Sequence, residues 1–186
     1  MTVLVGILVA LALGVGLWLV AIYNGLVRKR NLVREGWSGV DVQLKRRADL
    51  IPNLIETVKG YAGHEKGLLE QVAELRAQSL RAQAPGEKSA VEGQLSQALG
   101  KLFALAENYP DLKASQNFLD LQRALAEVEE QIQFARRYYN GAVRDLNIAV
   151  ESFPANLVAA PLGFKQAEFF QLEDAAERAL PKVSFS

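Results

Sequence analysis

Acidic side chains spaced along one predicted helix are the first candidates for chemistry. Asp49 and Glu56 are seven residues apart and share a helix face, and Asp41 lies close to that face. Paired carboxylates can bind a divalent cation, but metal sites in helical bundles usually add a Glu-x-x-His motif. The single histidine, His64, is followed directly by Glu65. We therefore interpret these carboxylates as a solvated acidic face and predict no metal and no cofactor.

The composition limits the remaining catalytic and binding chemistry. The chain has no cysteine, which excludes disulfides and thiolate chemistry, and one histidine leaves no histidine-paired triad. The 21 basic and 21 acidic residues give a net charge of zero, whereas proteins that grip nucleic acid normally carry a basic excess. We predict that the protein is not an enzyme and does not bind nucleic acid.

Arg47 is the main polar anomaly, because it occupies an apolar seam position of a predicted helix. A buried guanidinium needs a carboxylate partner, since leaving a buried charge unpaired costs several kcal/mol. The candidate partners are Asp49, Glu107, Glu127 and Glu129. The favoured interpretations are an ion pair that fixes helix register and a side chain that snorkels out of a loose seam. An anion-binding site is the third interpretation. We assign Arg47 and Asp49 to a structural polar network.

Four asparagines lie seven residues apart in pairs, Asn24 with Asn31 and Asn140 with Asn147. The first pair lies on the first of two predicted long helices, and the second pair lies on the last. If the last long helix runs back toward a predicted N-terminal membrane anchor, all four asparagines lie at a similar distance from the membrane. We hypothesise that they form amide contacts between helices, so that Asn140 and Asn147 extend the polar network. On this hypothesis Asn147→Leu lowers the thermal stability.

Residues 3–22 give the strongest local signal. The stretch VLVGILVALALGVGLWLVAI has no charged residue, and at about 1.5 Å per residue it is about 30 Å long, the thickness of the bilayer's hydrocarbon core. A cleaved signal peptide would need a basic start, a shorter apolar core and a small-residue cleavage site. Met1 and Thr2 supply no basic residue, and no clear cleavage motif precedes Tyr23. We predict an uncleaved membrane anchor.

Aromatic and basic residues mark the C-terminal end of this span. Trp18 and Tyr23 are of the type enriched at membrane interfaces, and Arg28, Lys29 and Arg30 follow them. These five residues are the predicted membrane interface, with anionic lipid headgroups as the partner. The positive-inside rule places the basic side in the cytoplasm. We expect a single-pass protein of the cell inner (cytoplasmic) membrane, with its N-terminus outside and its bundle inside.

Small residues recur within the span at every fourth position, at Gly6, Ala10 and Gly14. This spacing lets two transmembrane helices approach closely, although glycine and alanine are also common in spans that make no such contact. The three residues are the candidate face for helix self-association, and a homo-oligomer is the expected assembly.

Apolar residues in steps of three and four predict two long helices with coiled-coil seams. Because no turn signal separates Ile22 from Val33, the first helix continues the span, and it ends near Gly60. Pro52 predicts a kink within it, and Pro154 ends the second helix. The first seam is Val33, Trp37, Val40, Leu44, Arg47, Ile51, Leu54, Val58 and Tyr61, and the second is Phe118, Leu121, Leu125, Val128, Ile132, Ala135, Tyr139, Ala142, Leu146, Ala149 and Phe153.

Two shorter helices lie between the long ones. The first covers residues 68–80 and is broken at Ala84-Pro85-Gly86, and a capping box at Ser89 to Glu92 opens the second. We expect an all-α fold in which the transmembrane helix continues into an antiparallel up-down bundle of four helices, two long and two short. The alternative is a three-helix bundle with a broken middle helix, whose last helix runs away from the membrane.

The chain after the second long helix is apolar without a clear period. Its large apolar side chains are Phe164, Phe169, Phe170 and Leu172. If exposed, they would form a sticky patch, so this tail packs either on the bundle, on the membrane surface or on a neighbouring subunit. The predicted organisation is an anchor over residues 1–23, a helical bundle over 24–153 and a tail over 154–186.

Five ordered motifs resemble those of the LemA family: YNGLVRKRN, WSGVDVQLKRRADLIPNLIETVKGYAGHE, ENYPDLKASQNFLDLQ, YYNGAVRDLN and FPANLVAAPLGF. The resemblance implies a bacterial single-pass membrane protein with an N-terminal anchor and a helical-bundle domain, and it favours the four-helix bundle. The family has no established enzymatic activity and is linked to envelope and membrane-organising contexts, which is an association and not a mechanism.

The expected function is therefore a non-enzymatic, membrane-anchored helical scaffold or interaction protein. It would self-associate and organise protein partners, whose identity the sequence does not give, at the membrane of a bacterial envelope. The alternative is an adaptor or regulator of an envelope protease or another membrane enzyme. A carboxylate-based metal protein or hydrolase is less favoured.

Overall fold

A computed structural model describes residues 1–62 and 64–171, and these residues form six α-helices and no strand. The all-α prediction is confirmed. In chain order the helices are α1 (Thr2–Tyr61), α2 (Lys66–Arg81), α3 (Pro85–Ala106), α4 (Pro110–Lys113), α5 (Gln116–Glu151) and α6 (Asn156–Ala159).

Helix α1 is continuous over 60 residues, as the absence of a turn signal predicted. It contains the one candidate membrane span among the described residues, an 18-residue window with a mean hydropathy of 2.8 of which no part is buried. Pro52 lies inside α1, and the kink expected there stays a prediction. The chain therefore leaves the apolar span without a turn.

Helix α3 begins earlier than the predicted capping box. Its first residue is Pro85, a position where the missing N–H of proline breaks no helical hydrogen bond, and Ala84 before it is extended. Ser89 and Glu92 are buried inside the helix. The capping box is therefore wrong, and both side chains make tertiary contacts instead.

The chain divides into two compact units. Residues 1–40 and 135–168 form the first, called here the span unit because it contains the apolar span. Among the described residues, 41–62, 64–134 and 169–171 form the second, called here the core unit. Helices α1 and α5 each contribute one part to the span unit and one part to the core unit.

The core unit encloses the larger apolar core, to which α1, α2, α3, α4 and α5 all contribute. Its buried side chains are Ile51, Leu54, Val58, Ala62, Leu69, Val72, Leu75, Leu95, Ala98, Leu99, Leu102, Ala106, Leu112, Phe118 and Leu125. Most predicted seam positions in this unit are therefore buried. Tyr61, the last residue of α1, was expected on the seam but is exposed, and the next residue, Ala62, is buried.

In the span unit, α5 runs antiparallel to α1. Tyr139 lies against Gly36, whereas Ala149, further along α5, packs with Leu26, which is earlier in α1. The end of α5 therefore lies beside the C-terminal end of the apolar span, which is the returning direction that the four-helix prediction requires. Phe153 was expected on the seam but is exposed, because α5 ends at Glu151.

Candidate functional site

Arg47 lies in the interior of the core unit, where only 2% of its side chain is exposed. Its guanidinium forms ion pairs with Glu92 of α3 and Glu129 of α5. Nη1 donates hydrogen bonds to Glu129 Oε2 at 2.7 Å and to Ser96 Oγ at 2.9 Å, and Nη2 donates to Glu92 Oε2. Arg47 is therefore a paired, buried cation, which is the arrangement that its seam position requires.

The ionic cluster around Arg47 extends to neighbouring neutral side chains. Ser79 of α2 donates its hydroxyl hydrogen to Glu92, and Gln133 of α5 donates to Glu129 Oε1 at 2.8 Å. Polar side chains from α1, α2, α3 and α5 thus meet at one place. Because the guanidinium is enclosed, it can fix the register of these helices but is not accessible to an external ligand.

Sequence identified one of the two carboxylates that bind Arg47. Glu129 was among the candidate partners, whereas Glu92 was assigned to the capping box and missed. The signal that could have found it is the period of α3, on which Glu92 shares a face with buried Leu95 and Leu99. Asp49, which was also a candidate, is exposed.

The acidic face of α1 does not converge on a metal site. Asp49 and Glu56 are exposed, and Asp41 pairs with Lys88, a largely buried lysine that the sequence did not single out. His64 is exposed. Within residues 1–62 and 64–171, no group of three or more His, Asp or Glu side chains is placed to hold a metal ion.

In the span unit, the amide of Asn147 holds the backbone of the tail. Its Nδ2 donates to Ala167 O at 3.0 Å, and the Ala167 amide donates to Asn147 Oδ1 at 2.8 Å. Both of these hydrogen bonds join Asn147 to the tail, whereas the hypothesis placed its contacts on α1. Asn24 and Asn31 are exposed, and Asn140 is half-buried.

Tyr139 supplies a second contact to the tail. Its hydroxyl donates to Glu168 O at 2.7 Å, and its ring lies 5.4 Å from that of Trp37, centroid to centroid. Burial, and secondly the carboxylate of Glu168, raise the pKa of Tyr139 to about 12. The hydroxyl is therefore a hydrogen-bond donor throughout the physiological range.

Two of the predicted interface residues meet the tail at Phe164. The ring of Tyr23 contacts that of Phe164 edge-on at 5.8 Å, and the guanidinium carbon of Arg30 lies 4.8 Å from the Phe164 centroid. Phe164 is buried. The remaining predicted interface residues are exposed or half-exposed: Trp18, Arg28 and Lys29.

Three of the four large apolar residues of the tail lie within the described part of the chain, and their environments differ. Phe164 and Phe170 are buried, and Ser89 donates its hydroxyl hydrogen to the carbonyl of Gln171 in the core unit. Phe169 is partly exposed. Leu172 lies outside the described residues. At Phe164 and Phe170 the tail therefore packs on the helices of its own chain.

The small residues of the span face outward. A Cβ atom added at Gly6 or Gly14 would meet no other atom within 4 Å. Ala10 and Gly14 line a shallow apolar groove of about 680 Å³, together with Trp18 and neighbouring aliphatic residues. Side-chain volume is thus missing along one face of the span.

Comparison with known proteins points to one family. The LemA family profile matches residues 36–185. The chain is 26% identical over 181 residues to magnetosome protein MamQ 2 of Paramagnetospirillum magneticum, covering 83% of this chain and 66% of that protein. It is 27% identical over 153 residues to protein LemA of Metamycoplasma hominis, covering 81% and 69% respectively. The chain thus spans slightly less than two thirds of the MamQ relative. These relatives and the unburied apolar helix indicate a membrane-associated protein.

Proposed function

This chain belongs to the LemA family, and from that premise we propose that it is a non-enzymatic helical scaffold of the bacterial inner membrane. The observation that carries the proposal is the continuity of α1. The apolar N-terminal part of α1 is not buried and is long enough to cross a bilayer. The same helix supplies Gly36 to the span unit and Arg47 to the core unit. Both helical units are thereby tied to the membrane anchor.

The polar residues support a structural role. The cation of Arg47 is enclosed by Glu92 and Glu129, and the amide of Asn147 is engaged with backbone. The carboxylates of Asp49 and Glu56 are exposed. We infer that these groups fix helix positions and that the protein acts through surfaces that bind other chains.

The span itself is the proposed surface for self-association. Because lipid tails and leucine side chains are equally apolar, transmembrane helices associate through close packing, for which small residues are needed. The groove beside Ala10 and Gly14 supplies such a face. The resulting homo-oligomer would present several copies of the helical units to protein partners at the membrane.

The proposed orientation places the core unit, and the part of the span unit that lies beyond the apolar span, in the cytoplasm. Arg28, Lys29 and Arg30 follow the span, and the positive-inside rule assigns such a cluster to the cytoplasmic side. Protease added to intact spheroplasts should leave the chain whole, and protease added after the membrane is opened should degrade it. Degradation in intact spheroplasts would reverse the orientation.

A matched pair of glycine substitutions tests the self-association. Gly14→Leu fills the groove, whereas Gly16→Leu adds the same side chain about 200° around the helix, at the helical increment of about 100° per residue. Energy transfer between labelled full-length chains in liposomes should fall for Gly14→Leu and stay unchanged for Gly16→Leu. Equal transfer in both variants and the parent chain would contradict the role of this face.

A further inference from the structure

Residues 153–162, called here the α6 loop, expose an apolar surface in the span unit. The exposed fractions of Phe153, Leu157 and Leu162 are 79%, 63% and 48%. Three large apolar side chains so close together in a short segment are unusual on a surface that faces only water. The loop follows directly after α5, whose end lies beside the end of the span.

The α6 loop shares a cavity with the last turns of the apolar span. The cavity has a volume of about 420 Å³, and all its lining residues are apolar or aromatic: Leu19, Val20, Tyr23, Leu157, Val158, Pro161 and Leu162. Leu19 and Val20 belong to the uncharged stretch that the bilayer must accommodate. A bilayer that surrounds these two residues therefore also reaches the opposite wall of the cavity.

Basic residues follow both the span and the α6 loop in the sequence. Arg28 and Lys29 follow the span within two turns of helix, and Lys165 follows the loop. Arg30 lies over the ring of Phe164, just beyond the loop. In a leaflet, the apolar acyl chains are followed by the anionic phosphates toward the surface. Apolar residues followed by cations match this order.

We propose that the α6 loop inserts into the same leaflet as the C-terminal end of the span, and that their shared cavity holds a lipid acyl chain. The protein then contacts the bilayer at two places, through a transmembrane helix and an interfacial loop. This proposal rests on the membrane anchoring in the proposed function and not on self-association. The occupant is a lipid, because the cavity is continuous with the span surface.

The absence of cysteine in the chain makes a direct test practicable. Single substitutions Leu157→Cys, Leu162→Cys and Phe153→Cys in the full-length protein would each carry one environment-sensitive fluorophore. The labelled proteins are reconstituted in phosphatidylcholine–phosphatidylglycerol liposomes with or without brominated lipid. Leu11→Cys, in the span, is the positive control, and Val42→Cys, an exposed apolar residue of the core unit, is the negative control.

Brominated lipid should quench the labels of the α6 loop clearly more than the label at Val42. Quenching of the Leu11 control together with loop labels that behave like Val42 would overturn the insertion and leave the anchoring intact. An unquenched Leu11 control would overturn both the anchoring and the insertion. The native exposure of all three loop residues makes misfolding an inadequate explanation of a negative result, and equal melting temperatures of the variants would verify this.

Discussion

The core unit and the span unit use different polar contacts to hold their segments together. The core unit buries a cation, Arg47, between two carboxylates of other helices. The span unit uses neutral groups, the hydroxyl of Tyr139 and the amide of Asn147, and both bind the backbone of the tail. Charge is thus buried where four helices meet, and neutral groups bind the non-helical part of the tail, as Ser89 also does at Gln171 in the core unit.

The difference follows from what each unit must satisfy. Buried Arg47 requires a carboxylate partner, so it favours the arrangement of α1, α3 and α5 that brings Glu92 and Glu129 to it. The non-helical tail instead has backbone N–H and C=O groups without helical partners, which must find other partners when buried. An amide side chain has both N–H donors and an acceptor oxygen, and Asn147 uses one N–H and its oxygen on Ala167.

Removing the buried carboxylate should have the largest effect. Glu92→Ala leaves Arg47 without its fully buried partner and should lower the free energy of unfolding by about 3–5 kcal/mol. Glu129 is 38% exposed, so water can replace its carboxylate, and Glu129→Ala should cost about 1 kcal/mol. Denaturant titration of the full-length protein in detergent measures both. Equal costs would contradict the distinction between the two partners.

The neutral contact to the tail should be worth less. Asn147→Leu removes both bonds to Ala167 and should lower the free energy of unfolding by about 1–3 kcal/mol. Amide hydrogen exchange at Ala167 should become faster. Asn31→Leu, a change of the same type at an exposed position of α1, is the control and should alter neither. A neutral or stabilising result for Asn147→Leu would remove its structural role.

The close contact between α1 and α5 at Gly36 predicts that two glycine-to-alanine substitutions in α1 change the stability in opposite directions. A Cβ atom at Gly36 would lie 3.0 Å from Tyr139 Cα and 3.2 Å from Tyr138 Cδ1, whereas a Cβ atom at Gly39 would meet nothing within 4 Å. Gly36→Ala should destabilise by about 1 kcal/mol, because overpacking against backbone outweighs the gain in helix propensity. Gly39→Ala should stabilise by up to about 1 kcal/mol. Melting temperatures that rise for both variants would show that α5 is not in close contact at Gly36.

The smallest expected effect is a pH dependence at Tyr139. Its pKa is raised from 10.0 to about 12, so the folded protein favours the neutral phenol. The resulting stabilisation is complete below pH 10 and is lost as the pH rises through about 12. The difference in unfolding free energy between the parent chain and Tyr139→Phe should therefore shrink over this window. A difference that stays constant would contradict the raised pKa.

Local periodicity predicted the four longer helices but not the short α4 and α6, and the tertiary polar contacts were predictable only in part. The missing turn signal between Ile22 and Val33 correctly implied that the span continues as one helix. The choice of Glu92 by Arg47 depends on how α3 is rotated toward α1, and a local capping pattern at Ser89 masked it. The use of Asn147 on Ala167 depends on the path of an aperiodic tail, for which sequence offers no register.

The mass of the particles that the full-length protein forms in detergent tests the scaffold proposal most directly. Light scattering of the detergent-solubilised chain, corrected for bound detergent, gives the number of copies per particle. A self-associating scaffold predicts a defined multiple of the single-chain mass that persists on dilution and falls with Gly14→Leu. A particle that contains one chain at every concentration would contradict it.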